Sequence, residues 1–411
     1  MAAGNVRGRA PMIHFFHPRL EGFIGEVMSL VSHESYARCV NELVCLDMAN
    51  SQLFVDRLSR AWDNDDAVFP LDQRLPHPAR QKLLNIVRPT IMATNEGDVR
   101  IDGLPVETGD AVVVATSGTS GTQKAAVLTM SAVEASARAT TERLNVSLRD
   151  TWLACLPPSH VGGLSVITRS LIMGTSLITT PSFSPESYEE AAKSGATLVS
   201  LVSTALQRVD PTLFRAIVLG GSRQAAQLPP NCITTYGLTE TGSGVVYNGK
   251  ALRGVELEIR DSIVYIKAPM LLRAYRDGSA PLDNNGWFCT GDRGSLSDDG
   301  VLHIDGRDGD LIITGGENVW PENVEDALRN FPAITDLCVA GVPDPEWGHA
   351  VHVWLVTQEA DKVSLDAVRA HVKQTLPAHC APRQIYFVNE IPRTALGKPQ
   401  RSLLVKNLKT S

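Results

Sequence analysis

Two periodicities divide the chain. Up to about residue 250, short β-branched runs at 110–115, 125–129, 152–156, 175–179, 197–202 and 216–219 alternate with helical spacing at 165–173 and 188–193. Alternation of this kind predicts parallel strands with crossover helices, an α/β core whose sites lie at strand C-terminal ends. From Ala251 the period becomes two. Runs at 255–260 and 262–267 alternate apolar with polar, predicting an antiparallel, one-face-buried, barrel-like unit that continues through 300–304. A charged stretch, Gly306-Arg307-Asp308-Gly309-Asp310, then marks a boundary. Beyond it, helices at 321–330 and 364–375 and strands at 336–342, 349–356 and 383–388 predict a compact α+β domain. The expected architecture is α/β: a large N-terminal domain, 1–308, of α/β sheets with a small antiparallel β subdomain, followed by a small mobile domain, 309–411.

Elements outside this frame are fewer. Residues 34–43 and 51–62 have helix-like spacing, and Pro70, Pro76 and Pro78 interrupt the chain after them. Ser131 to Glu134 has the form of a capping box at the head of a helix running towards Leu144, and 157–164 has the form of a strand's exit turn.

Composition narrows the class. The 411 residues are 43% hydrophobic and 20% charged, as in a globular enzyme of more than one domain. A net charge of −7 argues against a nucleic-acid surface. The seven cysteines are odd in number and scattered without a CxxC pair, which predicts reduced, mostly buried thiols. No run approaches the ~20 apolar residues of a membrane span, and residues 1–20 make a poor signal peptide, so a cytoplasmic location is expected.

The richest chemistry lies between the strands at 110–115 and 125–129. Thr116, Ser117, Gly118, Thr119, Ser120, Gly121, Thr122, Gln123 and Lys124 place two glycines among hydroxyl residues, ending on a lysine. Backbone N–H groups of such a loop converge on an oxyanion, and the hydroxyls and lysine add donors, which suits a polyphosphate. The spacing does not fit the Walker pattern, and the loop joins two strands rather than opening a helix. A solvated turn is the alternative.

This loop resembles the phosphate loop of the acyl-adenylate-forming superfamily, which includes acyl- and aryl-CoA ligases, peptide-synthetase adenylation domains and luciferases. Three further stretches carry the resemblance. Thr234 to Thr241 is similar to the second signature; it implies Mg²⁺ binding by Glu240, an α-phosphate contact from Thr239 and an adenine contact from Tyr236. By the same resemblance Gly220, Gly221 and Gly237 lie at the nucleotide, and Gly237 and Thr241 also at the acid. Gly286 to Asp292 resembles the ribose-binding stretch, with Asp292 on the ribose hydroxyls, and Arg307 matches an arginine on ribose or phosphate. Pro392 to Lys398 resembles the C-terminal signature, in which a mobile lysine, here Lys398, bridges the attacking carboxylate and the α-phosphate. Solvated side chains and surface ion pairs are the alternatives for these residues taken singly.

The resemblance also implies a pivot at Gly309, where Asp or Lys is usual, and a pantetheine tunnel beside Gly315 and Gly316. Within the superfamily it narrows to o-succinylbenzoate–CoA ligases of menaquinone biosynthesis, through the stretches 160–165, 317–325 and 344–349. His160 is then expected against the acyl group, and Arg169 on the acid's second carboxylate. A core histidine and an arginine paired with an acidic residue are the competing readings. The implied partners are a small-molecule carboxylic acid, ATP with Mg²⁺, and CoA, with transfer to an amine or carrier protein left open. A homodimer is also left open. The segment before residue 105 is short for the superfamily, which predicts a reduced core or reliance on a partner subunit.

Overall fold

The computed structural model describes residues 41–116, 124–220, 228–358, 360, 363–393 and 399–408. Its first sheet grows from strands buried on both faces. β1 (Leu43–Leu46), entirely buried, pairs in parallel with β2 (Ala67–Pro70) and β3 (Ile91–Ala93), and β4 (Asp98–Arg100) adds an antiparallel edge. Helix α1 (Gln52–Asp63) follows β1, capped by the Ser51 hydroxyl, and buries Phe54, Val55, Leu58 and Ala61 on one stripe. Helix α2 (His77–Val87) opens on Pro78, whose missing N–H costs nothing in a first turn. Of the stretch 34–43, where helical spacing is expected, residues 34–40 lie outside the described set, and its last residue, Leu43, opens β1.

β5 (Asp110–Ala115) joins β2 in parallel, and β6 (Ala125–Thr129) returns antiparallel to it, so Thr116 and Lys124 lie side by side at one end of the sheet. Helix α3 (Met130–Arg143) follows directly. Its cap is the Thr129 hydroxyl, which accepts from Ala132 N, and not Ser131 as the capping-box spacing suggests; Ser131 Oγ lies 2.9 Å from Thr129 Oγ1 instead. The strand ends two residues sooner than the box implies.

The second sheet contains β7 (Thr151–Ala154), β8 (Ser176–Thr179), β9 (Leu198–Val202), β10 (Ala216–Gly220) and β11 (Cys232–Gly237), all parallel where they pair, extended antiparallel by β12 (Gly244–Tyr247) and β13 (Lys250–Ala251). Helices α4 (Val161–Met173), α5 (Pro185–Lys193) and α6 (Ser203–Leu206) make its connections. Helix α4 starts at Val161 rather than after the expected turn at 157–164. Gly163 is required within the helix because a Cβ there would fall 2.4 Å from the Pro157 carbonyl oxygen, a close approach only glycine allows.

β14 (Glu256–Arg260) and β15 (Ile263–Lys267) begin the period-two region. β16 (Ala274–Tyr275) crosses to the first sheet and pairs with β6, after which β17 (Phe288–Leu296) and β18 (Leu302–Arg307) complete the antiparallel unit. That unit is an open sheet in the order β14-β15-β17-β18 rather than a barrel. Past the turn Asp308–Asp310, β19 (Ile312–Thr314), β20 (Glu317–Val319), α7 (Pro321–Leu328), β21 (Asp336–Asp344), β22 (Gly348–Val356), α8 (Leu365–Val372), β23 (Gln384–Phe387) and α9 (Arg401–Leu408) close around their own apolar cores. The result is a large N-terminal α/β portion and a small α+β C-terminal domain. No helix among the described residues is long and apolar enough to cross a membrane. Of the six described cysteines five are buried, and burial pushes the Cys155 thiol up to about 12.

Candidate active site

The base of the phosphate-loop candidate is closed by two bonds. Thr116 N donates to the Lys124 carbonyl at 2.8 Å, and Lys124 N donates to Thr116 Oγ1 at 3.2 Å. Ser117, Gly118, Thr119, Ser120, Gly121 and Thr122 lie outside the described residues. Beside this base, the pairing of β16 with β6 sets Tyr275 opposite Ala126. The Lys124 ammonium stands 4.4 Å from the centroid of the Tyr275 ring, and the Tyr275 hydroxyl donates to Glu240 Oε1 at 2.8 Å. Burial pushes the Tyr275 phenol well up, and the Glu240 charge adds to that shift, so it stays a donor. Tyr275 therefore joins two motifs that are far apart in the chain, and no sequence pattern singled it out.

Thr239 and Glu240 lie on a short turn, Thr239–Thr241, after β11. Thr239 is half-buried with its carbonyl accepting from Gly242 N. Thr241 is fully buried; its Oγ1 donates towards the carbonyls of Leu238 and Ser243 and accepts from Leu238 N. Its one proton is thus spent within the turn, leaving the hydroxyl oxygen a single further acceptor position. Gly237 ends β11 where a Cβ would meet the Ser243 carbonyl oxygen at 2.2 Å. Gly220 closes β10, and Gly221 lies outside the described residues.

A second cluster forms between sheets. Tyr236 Oη donates to Asp292 Oδ2 at 2.7 Å, and Arg307 Nη1 donates to Asp292 Oδ1 and to the Thr290 carbonyl, each at 2.7 Å. The β17–β18 register sets Asp292 opposite Arg307. Burial works against the Arg307 charge, but Asp292 outweighs it and raises the guanidinium above its ordinary value. The Tyr236 phenol is pushed up by burial and by Asp292.

His160 is the N-cap residue of α4, yet its side chain makes no capping bond. Its Nε2 lies 3.3 Å from Asp72 Oδ2 and 2.8 Å from Arg74 Nη2, two residues the sequence did not mark. Arg169, on the same helix, is 2% exposed, with Trp152 4.9 Å away across its guanidinium; its Nε and Nη1 have no hydrogen-bond partner. Burial lowers its pKa. An acidic partner, the competing expectation, is absent among the described residues.

The remaining candidates lie in the C-terminal part. Gly315 and Gly316, with φ of +58° and +85°, form the two-residue turn between β19 and β20 that requires left-handed backbone at both positions, and the Trp347 ring covers Gly315. Gly309 sits in the turn Asp308–Asp310 with open space around its Cα. Lys398 lies outside the described residues.

The donor set suits a nucleotide with a divalent ion. A carboxylate offers about four lone-pair sites, so Asp292 has room for two hydroxyls beyond Tyr236 and Arg307. Among the described residues Glu240 Oε2 has no hydrogen-bond donor, and no group of three or more His, Cys, Asp or Glu side chains able to hold a metal occurs. An ion held by Glu240 would draw its other ligands from phosphate and water, a set that suits Mg²⁺.

Residues 103–263 match the profile described as AMP-binding enzyme, and residues 323–398 match that of the AMP-binding enzyme C-terminal domain. The chain is 35% identical over 362 residues to a probable 2-succinylbenzoate–CoA ligase of Mycobacterium tuberculosis, covering 80% of this chain and 94% of that protein. A solved structure of o-succinylbenzoate CoA synthetase from Bacillus subtilis in complex with its acyl-adenylate intermediate superposes with a TM-score of 0.80 at 25% identity, covering 88% of each chain. The same synthetase in complex with ATP and magnesium gives 0.79 at 25% identity over 90% of each. The chain belongs to the AMP-binding enzyme family of ligases.

Proposed function

We propose that this enzyme converts 2-succinylbenzoate to its CoA thioester at the expense of ATP, with Mg²⁺. The observation that carries the choice of acid is the 35% identity to a probable 2-succinylbenzoate–CoA ligase across 94% of that protein's length. In the first half-reaction a carboxylate oxygen of the acid attacks the α-phosphorus; the bond to the β-phosphate bridging oxygen breaks, and acyl-AMP and pyrophosphate form. In the second, the CoA thiolate attacks the acyl carbon and AMP leaves.

The residue roles are those the family's motifs imply, and each side chain has the chemistry its role needs. The loop from Thr116 to Lys124 holds the β- and γ-phosphates, Thr239 donates to the α-phosphate, and Asp292 with Arg307 takes the ribose while the Tyr236 ring lies against adenine. Glu240 holds Mg²⁺, which when bound supplies positive charge to the phosphate oxygens. Lys398 stabilises the charge that develops between carboxylate and phosphate. The C-terminal domain, from residue 309, turns about Gly309 between the two half-reactions, and the Gly315–Gly316 turn then lines the path of the pantetheine arm. His160 packs against the acyl group. Arg169 receives the second carboxylate; what supports this is a buried guanidinium with two unbonded nitrogens and no acidic partner among the described residues.

The test is acid-dependent pyrophosphate release over a panel of aromatic and aliphatic acids, with and without CoA, on wild type, Lys398→Ala and Arg169→Ala. The expected pattern has 2-succinylbenzoate leading, thioester only with CoA, adenylation lost in Lys398→Ala, and chiefly a raised acid KM in Arg169→Ala. A different leading acid, or acyl transfer to an amine in place of CoA, removes the substrate assignment.

A further inference from the structure

Asp72 and Arg74 lie just past the C-terminal end of β2 and reach across to the first residue before α4. Asp72 is 6% exposed. Its Oδ1 accepts from the Arg74 backbone N at 3.0 Å and from Arg74 Nε at 2.9 Å, and its Oδ2 accepts from Arg74 Nη2 at 2.7 Å. A guanidinium held by its own i−2 carboxylate, side chain and backbone together, has little rotamer freedom left. Burial works to raise the Asp72 pKa, but the side-chain and backbone bonds from Arg74 outweigh it and hold the carboxyl well below the usual range.

The two neighbours of His160 Nε2 make opposite demands. Arg74 Nη2, at 2.8 Å, is a donor and needs a bare nitrogen. Asp72 Oδ2, at 3.3 Å, is an acceptor and needs an N–H. Nη2 carries two hydrogens; with one on Asp72 Oδ2, the other is free to point at the ring. The shorter contact, and the prior commitment of Asp72 to Arg74, decide for an acceptor Nε2.

We propose that Asp72 and Arg74 are positioning residues for His160: Asp72 fixes the Arg74 guanidinium, and Arg74 donates to Nε2, so that the neutral ring carries its proton on Nδ1. The acid then meets an imidazole of fixed orientation whose donor is Nδ1–H. This rests on the reading that places His160 at the acyl group.

The experiment reads the ring directly. Protein labelled with ¹⁵N-histidine is studied by long-range ¹H–¹⁵N correlation at about pH 8, where an ordinary imidazole is neutral, and the His160 signals are identified by their loss in His160→Gln. Wild type is expected to show the Nδ1–H form, Arg74→Met to move to the Nε2–H form or a mixture, and Arg74→Lys, which retains a cationic donor, to recover part of the wild-type pattern. In parallel, kcat/KM for the acid is expected to fall about tenfold in Arg74→Met, the size of one lost charge-assisted bond, with the KM for ATP unchanged. An Nε2–H ring in wild type overturns the proposal, and so does an Nδ1–H ring that persists in Arg74→Met. The ring measurement uses no acid, so failure of the 2-succinylbenzoate assignment shows in the acid panel alone.

Discussion

The hydroxyl of Tyr275 donates a 2.8 Å hydrogen bond to Glu240 while its ring lies 4.4 Å from the Lys124 ammonium. One side chain on a two-residue strand thus orients the proposed metal-binding carboxylate and the last residue of the phosphate-loop candidate. Removing only the hydroxyl separates the two effects. In Tyr275→Phe the Mg²⁺ concentration that gives half-maximal pyrophosphate release is expected to rise about tenfold, the loss of one bond to a charged acceptor, while the KM for the acid stays put. A Mg²⁺ titration decides it; an unchanged midpoint leaves Tyr275 with packing alone.

Asp292 is shared between a phenol and a guanidinium. Asp292→Asn keeps the shape but deprives Arg307 of its counter-charge, and burial disfavours that guanidinium when unpaired. ATP affinity measured by calorimetry is expected to weaken at least tenfold, the scale of lost charge-assisted bonds. Equal affinity in both proteins would place the ribose elsewhere.

Much of the frame was legible because strand and helix periods are local properties. The runs at 110–115, 125–129, 197–202 and 262–267 coincide with strands within a residue, since each is bounded by turn residues. Partnership between distant side chains was not legible. Tyr275 meets Glu240 only through the crossing of β16 to β6, and Asp72 and Arg74 meet His160 only where a strand of the first sheet ends near α4. Gly162-Gly163 has the signature of a turn, yet both lie in α4, and the close approach of the Pro157 carbonyl that calls for glycine at 163 is visible only in three dimensions. The motifs kept the candidate residues in view, but the bonds a side chain makes within its own turn were not legible, as with the Thr241 hydroxyl, which donates towards the Leu238 and Ser243 carbonyls.

Acid stability offers a test away from the site. Asp150 Oδ1 accepts from Arg215 Nε at 2.9 Å and Thr197 Oγ1 at 2.8 Å, and Oδ2 accepts from Ser147 N at 2.9 Å. Burial raises its pKa, but these bonds outweigh it and leave the carboxyl lowered. A carboxyl lowered in the folded state contributes stability that is present above its unfolded value, about 3.9, and lost as pH falls through the folded value. Asp150→Asn is therefore expected to cost about 2 kcal/mol in urea unfolding at pH 7, allowing for the half-exposed Arg215. That deficit shrinks as pH falls below about 4. A deficit independent of pH would assign the loss to packing.

The residues flanking Gly309 are anchored on opposite sides. Asp308 Oδ1 lies 3.1 Å from Arg293 Nε on β17, whereas Asp310 Oδ2 lies 3.1 Å from Arg401 Nη1 on α9. Arg401 Nη2 also meets Glu325 at 2.9 Å and Glu322 at 3.0 Å, so Asp310 belongs to a firm ion-pair network of the C-terminal domain. A pivot at the residue between them, as proposed above, makes a graded prediction. A Cβ on Gly309 meets nothing within 4 Å, so Gly309→Ala is accommodated in the observed conformation and both half-reactions survive with modest change. Gly309→Pro fixes φ near −65° and restricts Asp308 as well. In single-turnover quench experiments it is expected to form acyl-AMP at close to the wild-type rate and to slow thioester formation at least tenfold, a barrier increase of about 1.4 kcal/mol. If proline slows both half-reactions equally, Gly309 supports the folded junction and the turning point lies at another residue.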